Sequence, residues 1–127
     1  MAFVLYNANP DRKLVIDCTV RAISKVTKQS WEASYIGLAV KGYELKNMPN
    51  ANEVWGSYMK DLGFVRRYIP NTCPDCYSVR EFCLDHPKGT FLLATGDHVV
   101  AVIDGDYYDT WDSGDVIPVY YWFEGEN

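Results

Sequence analysis

HVVAVIDGDYYDTWDS, residues 98–113, holds two β-rich runs on either side of Asp104-Gly105, the type of dipeptide that best suits a two-residue hairpin turn. The run from His98 to Ile103 and the run from Tyr107 to Trp111 therefore read as paired strands. Neighbouring strands lie about 5 Å apart, so a hairpin of this length is expected to return Asp112 to the side of His98. Asp109 is the alternative neighbour. Positions 109 and 112 differ by an odd number, so in a regular strand they face opposite sides of the sheet, and only one of them is the partner.

Around this hairpin the second half of the chain is strand-like. Phe64 to Ile69, Thr90 to Ala94 and Val116 to Trp122 are further strands, with Gly96-Asp97 as a kink before His98. The first half is helical. Asp17 is a suitable N-cap, and Val20, Ala22, Ile23 and Val26 supply the spacing of a helix that buries one face. A second helix is expected from the cap Ser30, with Trp31, Tyr35, Leu38 and Tyr43 or Leu45 as its inward stripe. A third is expected from an Asn50/Glu53 capping box and closes at Gly63. A short fourth starts from a Ser78/Glu81 box and stops at Pro87 and Gly89. Phe3 to Tyr6 reads as one more short strand. Helices followed by a meander imply an α+β domain, its N-terminal helices packed on one side of a C-terminal antiparallel β-sheet.

With 127 residues and 48% apolar composition, the chain suffices for one core, so residues 1–127 are expected to form a single domain. A net charge of −5 and no dense basic run argue against a nucleic-acid partner. No stretch approaches the roughly 18 to 20 apolar residues of a membrane span, and MAFVLYNANPDRK lacks the regions of a secretory signal. A cytoplasmic protein with no membrane partner is the expectation. Oligomeric state cannot be read from these features. In that setting the cysteines Cys18, Cys73, Cys76 and Cys83 are expected as free thiols or metal ligands before disulfides.

Cys18 falls at the first position of the first helix. A thiol is mostly protonated at neutral pH, and a nucleophilic cysteine needs an electropositive setting. The free N–H groups and dipole of a helix N-terminus supply one, and an adjacent imidazolium would add to it. Asp17 opposes this electrostatically, so its carboxylate is read as a cap folded onto the helix amides. His98 at the end of a strand is placed to face the thiol, and a carboxylate beside His98 would fix the ring's tautomer and orientation.

In layout, the Asp17-Cys18 helix start and the His98 to Ser113 segment resemble the Josephin deubiquitinases and the bacteriocin-leader peptidases, members of the papain-like cysteine peptidase superfamily. The chain is also similar to proteins found in bacterial and phage genomes. The resemblance covers roughly Asp17 to Ile23 and His98 to Ser113. It implies a papain-like fold and cleavage of a peptide, isopeptide or side-chain amide in a peptide or protein substrate. Cys18 would be the nucleophile, His98 the general base and acid, and Asp112 the orienting member, with Asp109 as alternative. Those families carry a glutamine a few residues before the cysteine to bind the oxyanion. Here Arg12 and Lys13 stand in those positions, and Asn7 or Asn9 is the candidate substitute. A non-catalytic protein-binding module that keeps the fold is the alternative function.

A second cluster lies in the middle of the chain. Cys73, Cys76, Cys83 and His86 follow a Cys-x2-Cys-x6-Cys-x2-His pattern with four zinc-type ligands. Six residues between the pairs are few, Pro87 draws His86 away from helical geometry, and Cys83 fits the inward stripe with Val79 and Phe82. Buried thiols and no cofactor are the first expectation, structural zinc the alternative, and a redox pair at Cys73 and Cys76 a third.

Overall fold

A computed structural model describes residues 2–70 and 74–124. In chain order the elements are β1 (Ala2–Leu5), α1 (Cys18–Thr27), α2 (Trp31–Leu45), α3 (Asn52–Asp61), β2 (Phe64–Tyr68), α4 (Val79–Asp85), β3 (Thr90–Ala94), β4 (Val99–Ile103), β5 (Asp106–Asp109) and β6 (Tyr120–Glu124). The strands form one six-stranded sheet in the order β1-β5-β4-β3-β6-β2. Pairings are antiparallel except at the edge, where β1 runs parallel to β5 with Leu5 opposite Asp109. The α+β class is as expected. The sheet is mixed rather than purely antiparallel, because the N-terminal segment enters it alongside β5 and β2 closes the other edge.

The helices also divide between the two faces. Ala22, Ile23 and Val26 of α1, Leu38 of α2 and Trp55 and Met59 of α3 pack on Leu92, Ala94, Val99, Ala101 and Trp122. On the opposite face Val79, Phe82 and Cys83 of α4 pack on Leu93, Val100, Val102 and Tyr107. The period of two along a strand explains the split: successive residues of β3 and β4 serve alternate cores. The expectation of helices on one side thus holds for α1, α2 and α3 and fails for α4. With both faces covered, Val99, Val100, Ala101 and Val102 are all buried, which explains why β4 has no polar alternation.

Local signals behaved unevenly. Ser30 and Ser78 cap as read, their hydroxyls accepting from the Ala33 and Glu81 amides. The Asn50/Glu53 box does not form. Ala51 is the N-cap of α3 without a side-chain bond, and Glu53 accepts instead from the Asn47 amide. On α2 only Leu38 of the expected stripe is fully buried, while Tyr35, Tyr43 and Leu45 are exposed. The last strand begins at Tyr120 rather than Val116, after Pro118, which has no N–H for a ladder. Asp104 (φ 51°) and Gly105 (φ 81°) form the anticipated two-residue turn, with Ile103 opposite Asp106. No described helix is long and apolar enough to cross a membrane.

Candidate active site

The hairpin joining β3 to β4 delivers His98. Ala94 pairs with Val99, leaving a four-residue loop in which the Thr95 amide donates to the His98 carbonyl and the His98 amide donates to the Thr95 hydroxyl. Gly96 takes a positive φ of 106° in that loop, a conformation that favours glycine. His98 is therefore the last loop residue before β4, held at the end of the sheet beside the N-terminus of α1.

There its ring stands beside Cys18 at the same cleft, close enough for each group to shift the other's titration. Its Nε2 lies 2.7 Å from Asp109 Oδ2, which leaves Nδ1 as the nitrogen available to the thiol. Cys18, His98 and Asp109 thus lie in a row. Asp109 is the alternative member of the sequence reading, and Asp112 is not beside His98. The Asp112 carboxylate accepts from the Tyr107 hydroxyl at 2.5 Å and from the Gly114 amide, with Arg80 at 3.5 Å. The correction has a geometric cause. Counted outward from the two-residue turn, the position across from His98 is 111, and Asp109 lies on the diagonal. The strand then ends at Asp109, so a regular hairpin never extends to Asp112. Trp111 instead lies against the His98 ring, centroids 5.0 Å apart.

Asp109 is fully buried and fully engaged. Oδ2 also accepts from the Ser113 hydroxyl at 2.7 Å, and Oδ1 accepts from the Thr110 amide and from Arg21 Nη2 at 2.7 Å. Arg21, only 4% exposed, spends its other terminal nitrogen on Asp17 Oδ1 at 2.6 Å, and the Trp31 indole N–H donates to Asp17 Oδ2 at 2.9 Å. Asp17 occupies the N-cap position but makes no side-chain cap bond. Its carboxylate is an anchor for Arg21, not the amide cap expected. Sequence reasoning passed over Arg21. The available signal was a charged residue in the middle of an apolar helix face, four residues after an aspartate.

The electrostatics follow from these contacts. Burial pushes the Cys18 thiol up, but the His98 ring, the Val99 backbone N–H and the imidazolium charge outweigh it, so its pKa lies below the ordinary thiol value. For His98, burial lowers the pKa, while the bond and charge of Asp109 and the bond to Cys18 raise it, with a net result of about 9. Burial raises the Asp109 carboxyl, and its bonds from His98 and Ser113 bring it below the usual carboxylate value. Each member is thus shifted toward its charged form, thiolate, imidazolium and carboxylate in a row.

A cleft of about 220 Å³ opens over the pair, lined by Cys18, His98, Gly96, Asp97, Asn50 and Asn52 among others. Asn7 and Asn9 do not line it. They brace their own loop, Asn7 donating to the Lys13 carbonyl and accepting from the Asn9 amide, and Asn9 accepting from the Asp11 amide. Asn52 is tied to Trp55 and the Gly96 carbonyl. Asn50 is the remaining side-chain amide at the cleft, and its sequence position suggested only a helix cap.

The second cluster does not assemble as a ligand set among the described residues. Cys83 is buried in the α4 core, its thiol pushed up to about 11 by burial. His86 Nδ1 contacts the Phe82 carbonyl at 2.9 Å, and its ring stacks on Phe82. Cys76 is disulfide-bonded, so the expectation of reduced thiols fails there. Cys73 lies outside the described residues. No group of three or more potential ligands converges among those described. Comparison with family models, curated proteins and solved structures returns no match to this chain.

Proposed function

We propose that the protein is a papain-like cysteine peptidase or related thiol acyl-transfer enzyme acting on a peptide, isopeptide or side-chain amide. One observation carries this reading: a thiol at the N-terminus of α1 shares a cleft with an imidazole whose Nε2 is bonded to a buried carboxylate. The Cys18 thiolate attacks the amide carbonyl, forming a C–S bond and an oxyanion. The oxyanion is bound by the Cys18 backbone N–H, with the Asn50 amide as the side-chain donor in place of a glutamine. The imidazolium of His98 gives its proton to the leaving nitrogen, the C–N bond breaks, and a thioester remains. Neutral His98 then takes a proton from water, whose oxygen attacks the thioester and releases the acid and the thiolate. Asp109 holds the ring and stabilises its charge throughout.

Alkylation by iodoacetamide across pH, with the appearance of new amines from a random peptide library, tests the proposal. Cys18 should react well above the rate of free cysteine at pH 6 to 7, and His98→Ala should abolish that excess. New amines should require Cys18. A Cys18 no more reactive than free cysteine, and indifferent to His98→Ala, overturns the reading. A second reading, a protein-binding module on the same fold, draws support from the exposed stripe Ile36, Val40 and Tyr43 on α2, which gives a partner an apolar surface.

A further inference from the structure

Helix α2 turns its small residues inward and its large apolar ones out. Ser34, Leu38 and Gly42, spaced by four, form the buried face. A Cβ on Gly37 would lie 2.7 Å from the Tyr58 ring, and one on Gly42 would lie 2.7 Å from the Asn47 carbonyl oxygen. Any larger residue rolled into those positions would clash, so α2 cannot rotate to bury its other face within the chain. On that other face Ala33, Ile36, Val40 and Tyr43 follow a 3-4-3 spacing, the seam of a two-stranded coiled coil. All four are exposed, Ile36 at 62%, Val40 at 54% and Tyr43 at 76%. A solvated helix face has no use for such a seam, and contiguous exposed apolar surface marks an interaction site.

The seam complements itself when two copies run antiparallel. With Ile36 set opposite the partner's Val40, and Val40 opposite the partner's Ile36, the outer layers pair Ala33 with Tyr43, the smallest residue against the largest. In the same register Glu32 comes beside the partner's Lys46 on each flank, at the positions whose charges set partner and orientation. Glu32 has no cation or hydrogen-bond donor of its own among the described residues. Lys46 Nζ rests 4.0 Å from the centroid of the Tyr43 ring and donates to the Tyr43 carbonyl, so its charge stands on the seam side. Gly37 and Ala39 fall near the centre, where they leave the two backbones free to approach. A parallel pair loses both advantages: Ala33 would face Ala33, Tyr43 would face Tyr43, and neither Glu32 nor Lys46 would meet an opposite charge.

We propose that the outer face of α2 is the contact between two copies of this chain, paired as antiparallel helices about a two-fold axis near Gly37 and Ala39. The contact stands apart from the thiol chemistry, since neither Cys18 nor His98 belongs to it. A helix of 15 residues offers a strip about 22 Å long and about 10 Å wide, short of the roughly 800 Å² per partner of a standard stable interface. The dimer is therefore weak and depends on concentration.

Sedimentation equilibrium on the full chain, from roughly 5 μM to 1 mM to suit a small interface, tests it. The native protein should pass from monomer toward dimer within that range. Val40→Glu, at an exposed position where circular dichroism should show the fold intact, should weaken association at least about tenfold, because it puts a charge into the seam twice per dimer. Glu32→Lys and Lys46→Glu each set like charges together on both flanks and should weaken it about fivefold. The double variant E32K/K46E, with the pairs reversed, should return to within about twofold of the native constant. A chain that stays monomeric at the highest concentration overturns the proposal. So does a dimer indifferent to Val40→Glu, or a double variant that associates no better than the two single ones.

Discussion

Replacing Asp109 by Asn removes one negative charge from a buried site while keeping an oxygen where the carboxylate stood. In the folded protein His98 is raised from 6.5 to about 9 against the opposing effect of burial. At ~1.4 kcal/mol per tenfold change, that rise is worth about 3 kcal/mol of preference for the imidazolium. Two of the influences that raise it, a hydrogen bond and a charge, come from Asp109, and the others from Cys18. Without the aspartate charge, burial dominates and His98 should titrate back toward or below 6.5. The imidazolium beside Cys18 is then lost at neutral pH, so the thiol pKa rises. The assay is thiolate absorbance and iodoacetamide alkylation of Cys18 between pH 5 and 10. The native protein should keep a reactive thiolate at pH 6 to 7, with a second transition near 9 as His98 loses its proton. Asp109→Asn should show one thiol titration displaced upward and alkylation at pH 7 lowered by about tenfold or more. The substitution also leaves Arg21 with a neutral oxygen in place of a carboxylate, at a cost of about 1–3 kcal/mol, so denaturant unfolding must first confirm a folded variant. A folded Asp109→Asn protein with an unchanged Cys18 profile would refute the reasoning.

Four further outcomes are expected. Asp112→Ala should leave the Cys18 alkylation profile unchanged, because its carboxylate serves Tyr107 and Gly114 rather than His98. Arg21→Met leaves Asp17 and Asp109 facing each other without their shared cation, and urea unfolding should show a loss of roughly 3–5 kcal/mol, the scale for breaking a buried ion pair. Because the folded pKa of His98 is raised, its stabilisation is complete below 6.5 and fades as pH rises through about 9; the unfolding midpoint should fall over that interval, and this part of the fall should vanish in His98→Ala. Peptide mapping after brief alkylation at pH 7.5 should find Cys18 modified and Cys83 untouched, since Cys83 is buried with its thiol pushed up to about 11.

How far the sequence discloses this molecule depends on the range of the interaction. Helix starts at Ser30 and Ser78 and the turn at Asp104-Gly105 are local, decided by residues two or three apart, and they were legible. The placement of Cys18 at a helix start and His98 at a sheet end was legible for the same reason. The choice between Asp109 and Asp112 was not, because it depends on where the strand stops and on contacts between distant parts of the chain, Arg21 on Asp109 and Trp111 on His98. The parallel seating of β1 and the position of α4 on the opposite face were hidden for a similar reason. A short strand carries no mark of its partner, and an amphipathic helix does not say which face of a sheet it covers. Arg21 was overlooked because a single buried cation makes sense only once both of its aspartates are seen together.

The edge strand gives the site an order of assembly. Leu5 sits opposite Asp109, and the Tyr6 amide donates to the Asp109 carbonyl at 2.8 Å, so the first strand holds the backbone of the last member of the Cys18–His98–Asp109 row. The thiol, by contrast, comes early in the chain, and its imidazole and carboxylate come eighty and more residues later. During synthesis Cys18 therefore emerges as an ordinary thiol, with neither counter-charge nor ring to activate it. On the proposed chemistry its activation depends on long-range contacts that close only when β5 docks between β1 and β4. On that reading the thiol stays unactivated until those contacts form.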